Sequence, residues 1–229
     1  AGLAHWDESS GEGMPGYKEL KDRQRAERDT YPEHTSLRIH RALSWLNRAE
    51  QCGDDHDARF IILWIAFNAA YANEIDDRSD LTEQKIFRQF IERLVALDDD
   101  TLYQLVWTEF SGSIRLLLDN RYVFGPFWEY QNGKISEEEW QQRFDSAKKT
   151  AHMALSRHNT KMVLVTVFSS MYVLRNQLIH GGATWNSSVN REQVRSSADI
   201  LGKIVPQIIT ILMDHPNEEW GNPCYPVVG

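Results

Sequence analysis

Three side chains that can handle a phosphate and a proton lie close together in the sequence, at Arg175, Asn176 and His180. Arginine binds phosphate oxygens through two parallel hydrogen bonds, and imidazole is the usual general acid or base near neutral pH. These residue types are therefore suited to binding a phosphate and to transferring a proton.

The residues around this group predict the helix that positions it. Apolar side chains recur at helical spacing over residues 163–174, and Gly181 and Gly182 follow the polar group directly. Glycine accepts the left-handed backbone conformation that often ends a helix. The pattern predicts a mostly buried helix that starts at about Thr160 and carries the three polar side chains in its last turns.

Helical geometry separates two members of the group. Asn176 and His180 are four residues apart and share one face, whereas Arg175 and His180 are roughly 140° apart around the helix axis. Arg175 and His180 can serve one site only if that site lies across the helix end, or if a second chain completes it. The partial negative charge at a helix C-terminus favours cationic side chains there.

The sequence Arg175-Asn176-x-x-x-His180 resembles the R-N-x-x-x-H motif of HEPN domains, which are all-helical domains that include many metal-independent ribonucleases. Residues 59–73 (RFIILWIAFNAAYAN) resemble the early helix of a bacterial branch of this family. Residues 110–128 (FSGSIRLLLDNRYVFGPFW) resemble the same branch. The resemblance extends over residues 34–220, which is most of the chain.

The resemblance implies a metal-independent endoribonuclease that uses no cofactor. In that activity His180 would handle protons as the RNA 2′-hydroxyl attacks the neighbouring phosphate, while Arg175 would steady the phosphate charge. Asn176 would orient His180 or the phosphate. The products would be a 2′,3′-cyclic phosphate and a 5′-hydroxyl.

The resemblance also implies partners. HEPN nucleases commonly form homodimers in which two motifs face each other, and some act as toxins or in phage defence, restrained by an antitoxin or regulatory protein. Other HEPN domains are inactive. The alternative is therefore a non-catalytic module that binds a nucleotide, RNA or a protein partner.

Three further residues are candidates for contact with an RNA substrate. Asn68 is the polar exception in an apolar helix, and it either has a satisfied hydrogen bond or faces the predicted site. Trp185, in the loop after the motif, either covers the site, stacks on a base or packs against the protein. Arg121 flanks the aromatic residues of the 119–133 segment, which either stack bases or form a small satellite core.

The run Asp54-Asp55-His56-Asp57 contains four residue types that can bind metals. Adjacent residues entering a helix point in different directions, and aspartate is favoured at helix N-termini for other reasons. No second His or Cys cluster at ligand spacing completes the run, so we expect no metal site.

The formal net charge of −8 argues against broad electrostatic binding to nucleic acid, although it allows a local basic site. Residues 17–48 form the only notably basic stretch, which is either a solvated surface or a contact with the RNA backbone. We find no apolar run of membrane-spanning length and no secretory signal, so we expect a cytoplasmic protein without a membrane partner. In that setting Cys52 and Cys224 are expected to be reduced.

The periodicity predicts an all-α fold, a HEPN-like bundle of about seven to eight helices around a four-helix core. Residues 34–214 are expected to form this domain, between a flexible or charged N-terminal arm (1–33) and a C-terminal tail (215–229). Residues 17–29 are either a charged helix or an arm that orders on a partner. The helices are predicted at residues 37–52 (capped by Ser36), 58–75, 80–97, 101–118, 136–157, from 160 to the motif, and 191–214, with either a kink or a local irregularity at Pro206.

Overall fold

The computed structural model describes residues 14–72 and 83–225 of the chain. Ten α-helices and no strand occur within these residues, so the predicted all-α class is confirmed. The helices are α1 (Tyr17–Glu27), α2 (Glu33–Glu50), α3 (His56–Tyr71), α4 (Glu83–Leu97), α5 (Thr101–Gln104), α6 (Ser111–Leu118), α7 (Gly125–Gln131), α8 (Glu137–Ser156), α9 (Thr160–Ile179) and α10 (Arg191–Asp214).

Helix α3 lies at the centre of the fold, packed against α2 on one side and α10 on another. Its sequence is apolar on nearly all sides, which is the pattern expected of a helix surrounded by others. Phe67 and Phe168 bring α3 together with α9, with ring centroids 4.6 Å apart. Trp64, earlier in α3, packs against Tyr172, later in α9. The two helices are therefore antiparallel, and the C-terminal end of α9 lies towards the N-terminal end of α3.

Helices α9 and α10 are long and apolar enough to cross a membrane by length and composition. From the sequence we expect no apolar segment of this length, and these two helices correct that expectation. Their apolar side chains are used within the fold, since 44% of the apolar window of α9 and 72% of that of α10 is buried. Core helices of water-soluble proteins meet the same criterion, so this is weak evidence for a membrane.

The first part of the predicted N-terminal arm, residues 1–13, lies outside the described residues. From Tyr17 onward the chain forms the charged helix α1, one of the two interpretations of this segment, and the helix is docked. Leu20 is buried between α1 and the rest of the bundle, and Arg23 pairs with Asp214 at the end of α10 at 2.7 Å. One buried face is enough to hold a mostly polar helix in place.

Several predicted helix limits differ from the structure. Helix α2 begins three residues before Ser36, which is inside the helix and not its cap. The single helix predicted for residues 101–118 is interrupted by a π-helical turn at Leu105–Glu109, and α7 was not predicted. Pro206 lies inside α10, which continues without a break to Asp214. The predictions for residues 73–82 lie outside the described residues.

Residues 215–225, the described part of the predicted tail, are anchored to the bundle at several points, including bonds from α2 to backbone carbonyls of the tail. Trp220 is buried and packs edge-on against Phe90. Arg38 is completely buried in α2 and donates to the carbonyl oxygens of Ala72 (2.9 Å) and Gly221 (3.0 Å). Burial lowers the pKa of Arg38 to about 10. The guanidinium thus ties the tail to α2 and to the C-terminal end of α3.

Candidate functional site

The motif lies where the sequence places it, at the C-terminal end of α9. The helix ends at Ile179, and His180 is its exposed C-cap residue. Gly181 follows in the left-handed conformation (φ 69°), and the amide of Gly182 donates to the carbonyl of Gln177 at 2.7 Å. This six-residue closure is the usual way in which a glycine satisfies the last carbonyl groups of a helix.

Arg175 is held by its neighbour in the motif. Its Nη1 donates to Oδ1 of Asn176 at 2.8 Å, and its guanidinium lies 5.9 Å from the ring centroid of Tyr172. The side chain is half-buried, and its Nε is buried with no hydrogen-bond partner in the described part of the chain. Asn176 therefore contacts the cation, and Asn176 lies about 40° from His180 around the helix axis.

Arg175 and His180 nevertheless remain separate within one chain. No hydrogen bond between described residues joins them. The two residues are roughly 140° apart around the axis of α9, which is consistent with the absence of such a bond. The imidazole is exposed to solvent and the guanidinium is exposed in part. Both groups are therefore accessible at the helix end, but a single protomer does not bring them face to face.

Gln177 is a residue of the site that sequence reasoning missed. Its Nε2 donates to the carbonyl oxygen of Tyr122 at 2.6 Å, and its Oε1 accepts from Nδ2 of Asn190 at 2.9 Å. One amide therefore connects α9 to the aromatic segment and to the loop after the motif. Its position could have indicated this role, since Gln177 is a polar residue in an apolar helix and lies three residues before His180.

The loop that follows His180 is fastened to the N-terminal end of α3 by Asp57. This carboxylate is only 8% exposed, and its Oδ2 accepts from both Nη1 and Nη2 of Arg191 at 2.9 Å and from the amide of Asn186 at 3.0 Å. Asp55 caps α3 by accepting from the amide of Ala58. Long-range contacts thus fix the loop against the central helix.

These contacts assign roles to the acidic run at residues 54–57. Asp55 is a cap and Asp57 is an ion-pair partner of Arg191. Within residues 14–72 and 83–225 no group of three His, Cys, Asp or Glu side chains is arranged to hold a metal ion.

The three candidate substrate contacts lie in different places. Trp185 is 72% exposed, and its indole Nε1 donates to Asp55 at 3.2 Å, so the ring is tethered but uncovered. Arg121 is exposed, with its guanidinium 5.0 Å from the ring centroid of Tyr122. Asn68 is half-buried one turn beyond Trp64, which takes it away from the C-terminal end of α9.

The backbone at Gly181 predicts a local effect on stability. Gly181→Ala is expected to lower the free energy of unfolding by about 1 kcal/mol, because a Cβ is disfavoured at φ 69° although the space around it is open. Urea denaturation of both proteins measures the difference. The exposed Gly112, in open space with ordinary φ, is the matched position, and Gly112→Ala should not destabilise the protein. Equal losses at both positions would contradict the assigned role of Gly181.

The arrangement supplies an accessible proton-transfer group, a cation held by an amide, and an uncovered aromatic ring on a fastened loop. The imidazole and the cation are suited to contact with a phosphate group, and the aromatic ring is suited to stacking on a nucleic-acid base. We found no family model, curated protein or solved structure that matches the chain significantly.

Proposed function

We propose that the protein is a metal-independent endoribonuclease of the HEPN type. The observation that supports this most directly is the end of α9, where an exposed His180 follows an Arg175 whose guanidinium is held by Asn176. The motif supplies the three side chains, and the geometry adds that two of them, Arg175 and Asn176, are in contact. The fold adds an anchored loop beside them, so the site is built on rigid elements.

In the proposed reaction the imidazole of one His180 accepts the proton of the RNA 2′-hydroxyl. The 2′-oxygen then forms a bond to the adjacent phosphorus while the bond from phosphorus to the 5′-oxygen breaks. The leaving 5′-oxygen takes up a proton from solvent and becomes a hydroxyl group, and the protonated His180 returns its proton to solvent. Arg175 binds the phosphate oxygens, whose negative charge grows in the transition state, and Asn176 keeps the guanidinium in place.

In this proposal a homodimer brings Arg175 and His180 together, because each site takes one residue from each protomer. The end of α9 is surrounded by exposed apolar side chains, at Tyr172, Ile179, Trp185 and Val189. A second copy related by a twofold axis would cover them and place Arg175 of one protomer opposite His180 of the other.

Substitution of Arg175 tests the proposed phosphate contact. Arg175→Ala is expected to reduce cleavage of single-stranded RNA in EDTA about 100-fold or more, because a positioned cation that stabilises transition-state charge contributes that much. Arg175→Lys should recover only part of the rate, since lysine cannot bind two oxygens in parallel. The matched control is Arg195→Ala, an exposed arginine on α10, which should cleave like the wild type. Full activity in Arg175→Ala would overturn the assigned role.

Mixing two inactive proteins tests whether the site is shared. If Arg175 and His180 act across the dimer, equimolar Arg175→Ala and His180→Ala should exchange subunits and recover about a quarter of the wild-type rate, because half of the dimers carry one intact site of two. No recovery from a mixture shown to contain heterodimers would contradict the shared site.

The second candidate function is a non-catalytic module that binds a nucleotide, RNA or a regulatory protein. The observation that favours it is the formal net charge of −8, which weakens general attraction to RNA. The two functions differ in one result. The module would bind its ligand without breaking a phosphodiester bond, and His180→Ala would bind as the wild type does.

A further inference from the structure

A large groove runs along one face of α9, outside the group of residues described above. Its volume is about 840 Å³, and its walls come from α4, α8, α9 and the segment that joins α6 to α7. Sites that hold organic ligands commonly enclose about 300–1,000 Å³. Along α9 the groove extends from Met162 to Val173, which is about 16 Å of helix.

The charge of the groove is unlike that of the protein. None of the described side chains that line it is acidic, although the chain carries 33 Asp and Glu against 25 Lys and Arg. Two arginines line it. Arg143 is paired with Glu129 and Glu139, while Arg88 is exposed and makes no ion pair with any residue that the structure describes. In an acidic protein this groove is therefore a surface on which an anionic ligand avoids repulsion.

The chemistry of the walls suits bases as well as phosphates. Phe124 and Phe144 supply aromatic surface, with their ring centroids 5.2 Å apart, and Ser169 and Ser170 supply hydroxyl groups on α9. Single-stranded RNA is bound through this combination of ring stacking, polar contacts and arginine. A duplex presents its phosphates outward and its bases stacked inside, so it would not use the aromatic wall.

The groove and the motif share one helix face. Val173 lines the groove, Gln177 lies one turn later, and His180 follows about 10 Å beyond Val173 along the axis. Between them the 121–123 turn crosses α9, held by the hydrogen bond from Gln177 to the carbonyl of Tyr122. This turn carries the exposed Arg121. A strand that leaves His180 and passes Arg121 therefore enters the groove.

We propose that this groove binds the single-stranded RNA adjoining the phosphate at His180, with Arg121 as the cation between the two. This inference rests on the proposed function. It assigns substrate binding to α4 and α8, which contribute nothing to the motif. It also explains how an acidic protein can bind RNA, because the strand follows a large groove along α9 whose described lining residues include no carboxylate.

Two neighbouring glutamines on α8 provide a matched test. Gln142 lines the groove, whereas Gln141 is exposed but does not line it. Binding of a fluorescent, uncleavable 2′-O-methyl oligonucleotide of twelve residues is measured by anisotropy on the full chain. Gln142→Glu is expected to raise Kd about tenfold, while Gln141→Glu, with the same change of charge, should stay within about twofold of the wild type. Arg88→Gln should reduce the slope of log K against log salt by about 0.7.

The outcomes separate this inference from the function on which it rests. A tenfold loss in Gln142→Glu alone supports the groove, even if the wild type cleaves no RNA. Equal affinities of Gln142→Glu and Gln141→Glu would overturn the groove, even if His180-dependent cleavage is found. Absence of binding by the wild type would overturn it as well. Circular dichroism and thermal unfolding of each variant establish that a change in Kd does not come from a change in fold.

Discussion

Cleavage of single-stranded RNA is expected to fall about 100-fold to 10,000-fold in His180→Ala, which is the range that a positioned general acid or base contributes. The residue is exposed at the end of α9 and its side chain supports no described hydrogen bond, so the fold should remain intact. Initial rates in EDTA, measured with saturating RNA, give the loss in kcat. The free energy of unfolding should change by less than about 0.5 kcal/mol.

His40 provides the matched control for this experiment. It is another exposed histidine, on α2, and has no place in the proposed site. His40→Ala should cleave RNA at the wild-type rate. If His180→Ala retained wild-type activity while the purified protein cleaved RNA, the proposed proton-transfer role of His180 would be wrong.

The second large effect is on stability. Asp57→Ala is expected to lower the free energy of unfolding by about 3 kcal/mol, because the substitution leaves the largely buried guanidinium of Arg191 without its carboxylate. The amide of Asn186 loses its acceptor at the same time. Urea denaturation followed by circular dichroism measures the loss. We also expect lower activity, since the loop next to His180 would no longer be fastened to α3.

The neighbouring Asp54 separates this specific contact from the removal of any acid. It is exposed and its carboxylate makes no described hydrogen bond, so Asp54→Ala should change stability by less than about 0.5 kcal/mol. In the double-mutant cycle, Asp57→Ala and Arg191→Ala together should cost much less than the sum of the two single substitutions. Additive losses would show that the ion pair does not hold the loop.

The sequence predicts α9 and its end well because the signals there are local. A run of apolar residues at helical spacing and the two glycines that follow it lie within about twenty residues of each other. The start of α8 is local in the same way. The helix predicted from residue 136 begins at Glu137, and Ser136 caps it by accepting from the amide of Glu139. The all-α class follows from many such segments taken together.

The contacts that organise the candidate site could not be predicted in this way. Asp57 and Arg191 are 134 residues apart, and each alone looks like a surface charge at the start of a helix. Gln177 meets Tyr122 across 55 residues. The pairing of such groups depends on how antiparallel helices align, which periodicity does not specify. Short elements are missed for a different reason, since α7 has seven residues and too few turns for a periodic pattern.

The docked N-terminal helix illustrates the limit of composition. Residues 17–27 are almost wholly polar, which is typical both of an arm and of a solvated helix. Only the burial of Leu20 and Gln24 and the pairing of Arg23 with Asp214 decide between them. A small buried face carries little weight in a composition average, although it holds the helix against its neighbours.

The most direct test of the central claim is the chemistry of the cleaved ends. Purified wild-type protein is incubated in EDTA with a single-stranded RNA, and with the same RNA carrying one 2′-deoxynucleotide at the cleavage site. If His180 activates the 2′-hydroxyl, the products carry a 2′,3′-cyclic phosphate and a 5′-hydroxyl, and the deoxy substrate stays intact. Cleavage of the deoxy substrate at the same site, or products with a 5′-phosphate, would contradict the proposed reaction.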